Sequence, residues 1–198
     1  MVFLQNHGVF VGAKDVAGII TLYDHIMDRA ASHVMRKPVF LEAKADEERL
    51  AVVKNGLSRY FPAGTTLIPL FNRELQTRLQ DAEAFYPVSS SYTPDHIVYS
   101  GFAPLWIDES VFEAQEPAAA VATACRTFEK ANGVAPKIVA VQNTCVIATS
   151  ENALNLYLDT LKVAAFAESF GGPRFMDHDQ IDFIRTWEVE SYRAKLAT

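Results

Sequence analysis

A short phrase that occurs twice is the strongest constraint on how this 198-residue chain can fold. The copies, Gln5 to Val11 and Gln142 to Ala148, each follow an apolar run and precede a segment with the spacing of an amphipathic helix. Two apolar runs joined by a turn sequence are typical of paired β-strands. The pattern therefore predicts a duplicated strand–turn–strand–helix unit, with helices that begin near Val16 and Ala153.

Capping residues mark further helices. Pro117 suits the first position of a helix and Gly133 suits the position just after its end, so the sequence predicts a helix between them. Asp177 and Gln180 have the spacing of a capping box, which predicts a last helix that continues to Leu196. These helices alternate with short apolar runs, as in α/β proteins.

Other boundaries follow from proline and from changes in polarity. The first helix is predicted to end near residues 35–37, a second polar helix to cover 73–85, and a loop to cover 86–95. Pro69 restricts a strand over 65–70 to the edge of a sheet, because proline cannot donate to a neighbouring strand. We expect a three-layer α/β/α fold with a mixed, largely antiparallel sheet.

The duplication also predicts the domain organisation. Residues 1–40 would be the C-terminal remnant of a first lobe, and residues 41–198 would be a second lobe that is a degenerate copy of the first. The chain starts inside the first lobe, so we expect that lobe to be incomplete.

Composition excludes several classes of partner. The formal net charge is -6 and the basic residues are scattered, which argues against nucleic-acid binding. No apolar run reaches the roughly 18–20 residues of a membrane span, and no basic segment of a signal peptide is seen at the N-terminus. Cys125 and Cys145 lie in apolar surroundings and are expected to be buried thiols. We therefore expect a cytoplasmic protein with neither nucleic-acid nor membrane partners.

His7 is the leading candidate for a functional side chain. It stands in the first turn beside Gly8, and histidine on a rigid turn is a good metal ligand. The alternative is a hydrogen-bonded turn histidine without a ligand. Thr144 and Cys145 stand in the corresponding place of the second copy, so only the first copy retains the histidine.

The other candidates are weaker. A catalytic zinc usually has three protein ligands, but the remaining histidines form no His-x-His pair. His96 is expected to be an exposed loop residue, and Glu168 a surface carboxylate in the last turn of a helix. Cys145 has apolar flanks and no nearby histidine, which favours a structural thiol over a nucleophile. No phosphate-binding glycine loop is present in the sequence.

The segment from Phe3 to Gly12, with Asn6-His7-Gly8 at its centre, resembles the class II aldolase/adducin family. The resemblance covers essentially the whole chain and is closest to the long, two-lobed members, similar to the aldolase portion of rhamnulose-phosphate aldolase/dehydrogenase fusions. The other segments that recur in the order of that family are Thr93 to His96, Pro104-Leu105, Pro136 to Val139, Glu168 to Gly172 and Trp187 to Glu190.

The resemblance implies a zinc-dependent lyase that cleaves a ketose phosphate by a retro-aldol reaction, with His7 as a zinc ligand. In the family, further zinc ligands come from a His-x-His motif and a catalytic Glu precedes it, all upstream of Asn-His-Gly. The chain has only six residues before His7, so the remaining ligands and the catalytic residues would come from a missing segment or another subunit. We therefore expect little activity from the chain alone.

The resemblance also implies a sugar phosphate or another small carbonyl compound as the substrate, and a homo-oligomeric assembly. Two alternatives stay open within the same family. One is a non-catalytic, adducin-like interaction module, and the other is a pentulose-phosphate epimerase. Fold alone does not choose among the three, because function depends on the site.

Overall fold

The computed structural model describes residues 1–188 and shows a mixed α/β chain. The strands are β1 (Val2–Leu4), β2 (Gly8–Phe10), β3 (Ile68–Leu70), β4 (Leu105–Ile107), β5 (Ile138–Val141) and β6 (Cys145–Ala148). The α-helices are α1 (Val16–Ala31), α2 (Glu47–Ser58), α3 (Arg73–Arg78), α4 (Ala82–Phe85), α5 (Pro117–Asn132), α6 (Glu151–Ala167) and α7 (His178–Thr186). Short 3-10 helices cover Tyr86–Val88, Glu109–Glu113 and Glu168–Phe170, and a π-helical turn covers His96–Ser100.

The main sheet has four strands in the order β3-β6-β5-β4. β6 pairs antiparallel with both β3 and β5, whereas β4 runs parallel to β5, so the sheet is mixed. Pro69 lies in β3 at the edge of this sheet, as predicted. β1 and β2 pair antiparallel in a separate two-stranded sheet. We call β1, β2 and their turn the N-terminal hairpin, and β5, β6 and their turn the core hairpin.

The core hairpin is buried on both faces, because alternate residues of its strands enter two different hydrophobic clusters. On one face of the sheet, side chains of β5 and β6 pack against α6 in the first cluster. On the other face, the alternate side chains pack against α2 and α5 in the second cluster. The first cluster includes Ile138, Ala140, Val146, Ala148, Tyr157 and Leu161. The second includes Val139, Val141, Cys145, Ile147, Val53, Leu57 and Val121.

α2 and α5 cross at Gly56. A Cβ atom at this position would lie 2.6 Å from the Ala118 carbonyl oxygen and 2.6 Å from the Val121 Cβ. The absent side chain therefore lets the two helix backbones approach each other closely on this face of the sheet.

Capping residues in the sequence predicted the starts of several helices correctly. Asp15 caps α1 by accepting a hydrogen bond from the Gly18 N–H at 2.7 Å. Asp177 and Gln180 form the predicted capping box. α7 ends at Thr186, because Trp187 is extended with a ψ of 125°, so the predicted continuation of this helix through Trp187 was wrong. The part of the prediction beyond residue 188 lies outside the described residues.

Two other helix predictions were wrong. α1 ends at Ala31 rather than near residues 35–37, because Met35 leaves the helix and its N–H donates to the Ser169 Oγ at 2.9 Å. The predicted helix over 73–85 is divided into α3 and α4. At the break, the Leu79 carbonyl accepts a hydrogen bond from the core-hairpin turn at 2.8 Å. In both places tertiary hydrogen bonds replace helical ones.

An ion-pair network, formed by Arg36, Glu74, Arg78 and Glu168, fastens the segment after α1 to the rest of the chain. Arg36 donates two hydrogen bonds of 2.8 and 2.9 Å to the Glu74 carboxylate and two of 2.6 and 2.7 Å to the Glu168 carboxylate. Arg78 contacts both carboxylates from α3. The network therefore joins the connector, α3 and the end of α6.

Glu74 is the buried centre of this network, with a side chain that is only 2% exposed. Burial alone would raise the pKa of Glu74. Hydrogen bonds from the Arg36 side chain and the Val39 N–H, together with the charges of Arg36 and Arg78, outweigh burial and lower the pKa. Folding therefore stabilises the ionised form of this carboxylate.

We predict that Glu74→Gln lowers the free energy of unfolding by about 2–3 kcal/mol, because it removes the buried carboxylate and leaves Arg36 and Arg78 with Glu168 as their only shared acid. The expected change is smaller than for a fully buried ion pair, because the Arg36 side chain is 39% exposed and solvent screens its charge. Urea denaturation measures the change. Glu83→Gln, at an exposed position in α4, is the control and is expected to stay within about 0.5 kcal/mol of wild type.

The same substitution changes the pH dependence. Because the folded pKa of Glu74 is lowered, its contribution is complete above the ordinary glutamate pKa of about 4.3. It is lost as the pH falls from there through the folded pKa. The acid-induced loss of stability should therefore be shallower in Glu74→Gln. Equal stability and equal acid slopes in Glu74→Gln and Glu83→Gln would contradict this account.

Candidate functional site

The turn of the N-terminal hairpin presents the histidine that the sequence singles out. Three residues, Gln5 to His7, connect the paired residues Leu4 and Gly8. Asn6 has a φ of 55°, in the left-handed region that asparagine tolerates better than most residues. The His7 N–H donates to the Leu4 carbonyl at 3.3 Å and closes the turn. His7 is thus placed at a defined position directly before β2.

The turn of the core hairpin has the same construction. Three residues, Gln142 to Thr144, connect the paired residues Val141 and Cys145. Asn143 has a φ of 51°, and the Thr144 N–H donates to the Val141 carbonyl at 3.1 Å. Thr144 therefore occupies the position that His7 has in the N-terminal hairpin. The two turns differ in the functional side chain but share their backbone geometry.

The Asn6 side chain anchors the N-terminal hairpin to the rest of the molecule. Its Nδ2 amide donates to the Tyr92 carbonyl at 3.0 Å and to the Arg174 carbonyl at 2.7 Å. Its Oδ1 is buried and has no hydrogen-bond partner within residues 1–188. Two carbonyl groups far along the chain thus hold the turn that carries His7.

His7 is exposed and borders an open hollow of about 420 Å³. Tyr92, Thr93 and Val163 form the opposite wall of this hollow. In the part of the chain that the structure describes, no three His, Cys, Asp or Glu side chains come together as a metal-binding group. A catalytic zinc typically has three protein ligands. The described residues thus supply one imidazole and do not by themselves fit a zinc centre.

His96 does not lie where the sequence analysis expected it. The residue is buried, with 3% exposure, in the π-helical turn His96–Ser100. Its Nδ1 accepts a hydrogen bond from the Tyr92 N–H at 3.3 Å, and burial lowers the pKa of the imidazole. His96 is therefore a neutral structural residue of the segment that faces the N-terminal hairpin, and the prediction of an exposed loop histidine was wrong.

The remaining histidines are exposed at separate places. His25 and His33 lie in and just after α1, and His33 makes an edge contact with the Phe170 ring at 6.5 Å between centroids. His178 is the first residue of α7 and lies 3.4 Å from the Asp182 carboxylate. None of the three borders the hollow beside His7.

Both cysteines are buried thiols, as predicted. Burial raises the pKa of Cys125 and of Cys145 to about 12, so both are protonated at neutral pH. Cys145 therefore lacks the thiolate character of a nucleophile. Glu168 lies at the surface directly after α6, as predicted. It also belongs to the ion-pair network, and hydrogen bonds from Arg36 help to lower its pKa.

The sequence analysis missed a cavity of about 300 Å³ at the turn of the core hairpin. Asn143, Thr144 and Cys145 line it, together with residues of α3 and of the connector before α2. The repeated sequence phrase pointed to this turn, since it is the counterpart of the His7 turn, but it did not indicate a cavity there.

Comparisons of the chain with protein-family models, with curated proteins and with solved structures found no match. The resemblance to the class II aldolase/adducin family therefore rests on the residues of the chain alone. Within residues 1–188, no helix has both the length and the apolar character that crossing a bilayer requires.

We predict that Asn6→Gly loosens the N-terminal hairpin. Glycine keeps the left-handed turn accessible but removes both anchoring hydrogen bonds. Hydrogen exchange of the β1 and β2 amides should become about tenfold faster, as the loss of roughly 1–2 kcal/mol of local stability implies.

Asn143→Gly is the matched control, because the Asn143 side chain makes no hydrogen bond within residues 1–188 and the turn has the same shape. Exchange of the β5 and β6 amides should change by less than the β1 and β2 amides do in Asn6→Gly. Unchanged protection of β1 and β2 in Asn6→Gly would show that the two side-chain hydrogen bonds do not hold the hairpin.

Proposed function

We propose that the chain is a portion of a zinc-dependent class II sugar-phosphate aldolase that cleaves a ketose phosphate by a retro-aldol reaction. The observation that carries this proposal is the placement of His7. Its imidazole is exposed beside a hollow, on a closed three-residue turn that Asn6 anchors to two distant carbonyl groups. A metal ligand needs such a fixed but accessible position.

The described residues contribute a ligand and its rigid support. The other metal ligands and the catalytic base would come from a neighbouring subunit or from residues outside 1–188, since these residues hold no metal-binding group of three side chains. A homo-oligomer in the cytoplasm is part of the proposal, and the two reduced, buried thiols are compatible with that compartment. The chain alone should have little activity.

The proposal includes a three-layer α/β/α arrangement built by duplication. Two hydrophobic clusters that share the core hairpin, one with α6 and one with α2 and α5, support the layers. The common geometry of the two asparagine turns supports the duplication. In this interpretation residues 1–40 belong to a lobe that keeps its ligand, and residues 41–198 form a lobe that has lost it.

Metal analysis with a histidine control tests the aldolase proposal. We expect stoichiometric zinc in the assembled protein, in which His7 meets its partner ligands, and its loss in His7→Ala. His33→Ala is the matched control, because His33 is also exposed but does not border the hollow. Zinc-dependent cleavage of a ketose 1-phosphate should disappear with the metal.

The measurement is made on the 198-residue chain and on any longer natural product of its gene. Absence of zinc from both, or full retention of zinc in His7→Ala, would contradict the proposal. Inversion of a pentulose phosphate without cleavage would identify the epimerase instead.

A non-catalytic, adducin-like interaction module is the second candidate, and the surface of α1 favours it. No residue of this helix is fully buried. Val16, Ile20, Tyr23 and Met27 recur at intervals of a helical turn and are 40–71% exposed. The adjacent strand β2 pairs only with β1 among the described strands, and the Tyr23 hydroxyl donates to its Val9 carbonyl at 3.2 Å, which holds the stripe beside the hairpin.

A second copy of the chain suits this surface. A two-fold axis places like stripes against each other, so one surface serves both subunits. α1 carries few charges, and those at Asp24, Asp28 and Arg29 lie off the apolar stripe, so little repulsion opposes such pairing.

We predict that Ile20→Asp abolishes self-association and leaves the unfolding free energy within about 0.5 kcal/mol of the wild-type monomer, because the side chain is 55% exposed. Sedimentation equilibrium measures the association. His25→Asp, on the opposite face of α1, is the control and should associate like wild type. A wild-type chain that is monomeric at all concentrations, or an Ile20→Asp variant that still associates, would remove the support for this second function.

A further inference from the structure

The cavity at the turn of the core hairpin combines an apolar wall with unused polar groups. Leu75 and Leu79 of the α3 region form part of the wall. Hydrogen bonds at the α3–α4 break keep its shape, because the Asn143 N–H donates to the Leu79 carbonyl and the Gln142 Nε2 donates to the Gln80 carbonyl, both at 2.8 Å. Its volume of about 300 Å³ is sufficient for a small metabolite.

Asn72 offers a hydrogen-bond donor to this cavity. The residue is 3% exposed, and its Oδ1 accepts the Leu75 N–H at 2.8 Å as the cap of α3. Since only the oxygen can accept this bond, the orientation of the amide is determined. Its Nδ2 makes no hydrogen bond within residues 1–188, although the residue lines the cavity. Among residues 1–188 the Asn6 Oδ1 is the only fully buried polar side-chain atom without a partner, so the Asn72 Nδ2 is reached by solvent and can donate to a ligand in the cavity.

Two charged side chains, Lys44 and Asp46, lie at the rim of the cavity. Lys44 lines it and has no ion-pair partner among the described residues. Asp46 also lines it, but its carboxylate accepts the Arg49 N–H at 3.0 Å and lies 3.7 Å from the Arg49 Nε. Arg49 pairs with both Asp46 and Glu109, at 3.7 and 3.3 Å, whereas the exposed ammonium group of Lys44 is not in an ion pair within residues 1–188 and can meet a ligand at the rim of the cavity.

Three carboxamides complete the lining. The Gln76, Gln80 and Asn143 side chains border the cavity and make no side-chain hydrogen bond within residues 1–188. A carboxamide both donates and accepts, as a hydroxyl group does, so several such groups around one cavity match a ligand with several hydroxyls. Together with one free ammonium group, this set favours a polyhydroxylated compound that carries one negative charge.

We propose that this cavity binds a small polyhydroxylated carboxylate of the aldonate class. Lys44 receives the carboxylate, the Asn72 Nδ2 donates to an oxygen of the ligand, and the carboxamides of Gln76, Gln80 and Asn143 contact its hydroxyls. The site does not use His7 and does not depend on the aldolase proposal. It lies at the turn where Thr144 stands in place of the histidine.

Titration with D-gluconate tests the proposal, with backbone amide NMR shifts and calorimetry as readouts. We expect saturable shifts confined to the cavity, at residues 43–46, 70–80 and 143–145. D-glucitol has the same carbon chain without the carboxylate and should bind at least tenfold more weakly, because one charge-assisted hydrogen bond is lost. His7→Ala should bind gluconate like wild type.

Two variants test the assigned residues without disturbing the fold. Asn72→Asp retains an oxygen that can cap α3, removes the donor and sets a like charge against the ligand carboxylate, and Lys44→Gln removes the ammonium charge. Each should weaken gluconate binding about tenfold, whereas Lys130→Gln at the exposed end of α5 should leave it unchanged. The proposal is overturned if gluconate causes no saturable shifts, if the shifts lie elsewhere, if glucitol binds equally well, or if both cavity variants bind like wild type.

Discussion

The rest of the described structure depends on the burial of the core hairpin on both faces. Every residue of β5 and β6 is buried, and neighbouring residues enter different hydrophobic clusters. A shift of one residue in the pairing would exchange the two faces and disturb both clusters at once. The register from Val141 and Cys145 outward is therefore strongly determined, and with it the turn that forms one wall of the cavity.

The N-terminal hairpin shows what the same local sequence does without such burial. Its asparagine adopts the same left-handed conformation and its turn closes with the same backbone hydrogen bond. Yet the strands β1 and β2 are largely exposed and pair with no other strand of residues 1–188. Turn chemistry thus specifies the bend, whereas side-chain packing decides whether the hairpin belongs to a core. The anchoring of Asn6 takes the place that packing has in the second copy.

Features that depend on near neighbours in the sequence could be predicted. The caps at Asp15 and Asp177, the proline in an edge strand and the buried cysteines all follow from local chemistry or hydrophobicity. The burial of His96 in a π-helical turn could not be predicted, because tertiary packing places both its partner Tyr92 and the surrounding chain. For the same reason no local pattern indicated that Arg36 meets Glu168 across 132 positions of the chain.

The two candidate sites differ in the same way: one follows from a local sequence pattern, and the other depends on tertiary packing. The sequence identified His7 through its turn, and the structure places that imidazole at an exposed position on an anchored hairpin. The cavity at the second turn had no motif, since its lining comes from the connector, α3 and the core hairpin together. Two turns with one backbone geometry thereby present different chemistry: one carries an exposed imidazole, and the other borders a cavity lined by carboxamides and an exposed lysine. The shared geometry determines where the turn side chain stands, whereas the elements packed against the turn decide what that side chain can contact.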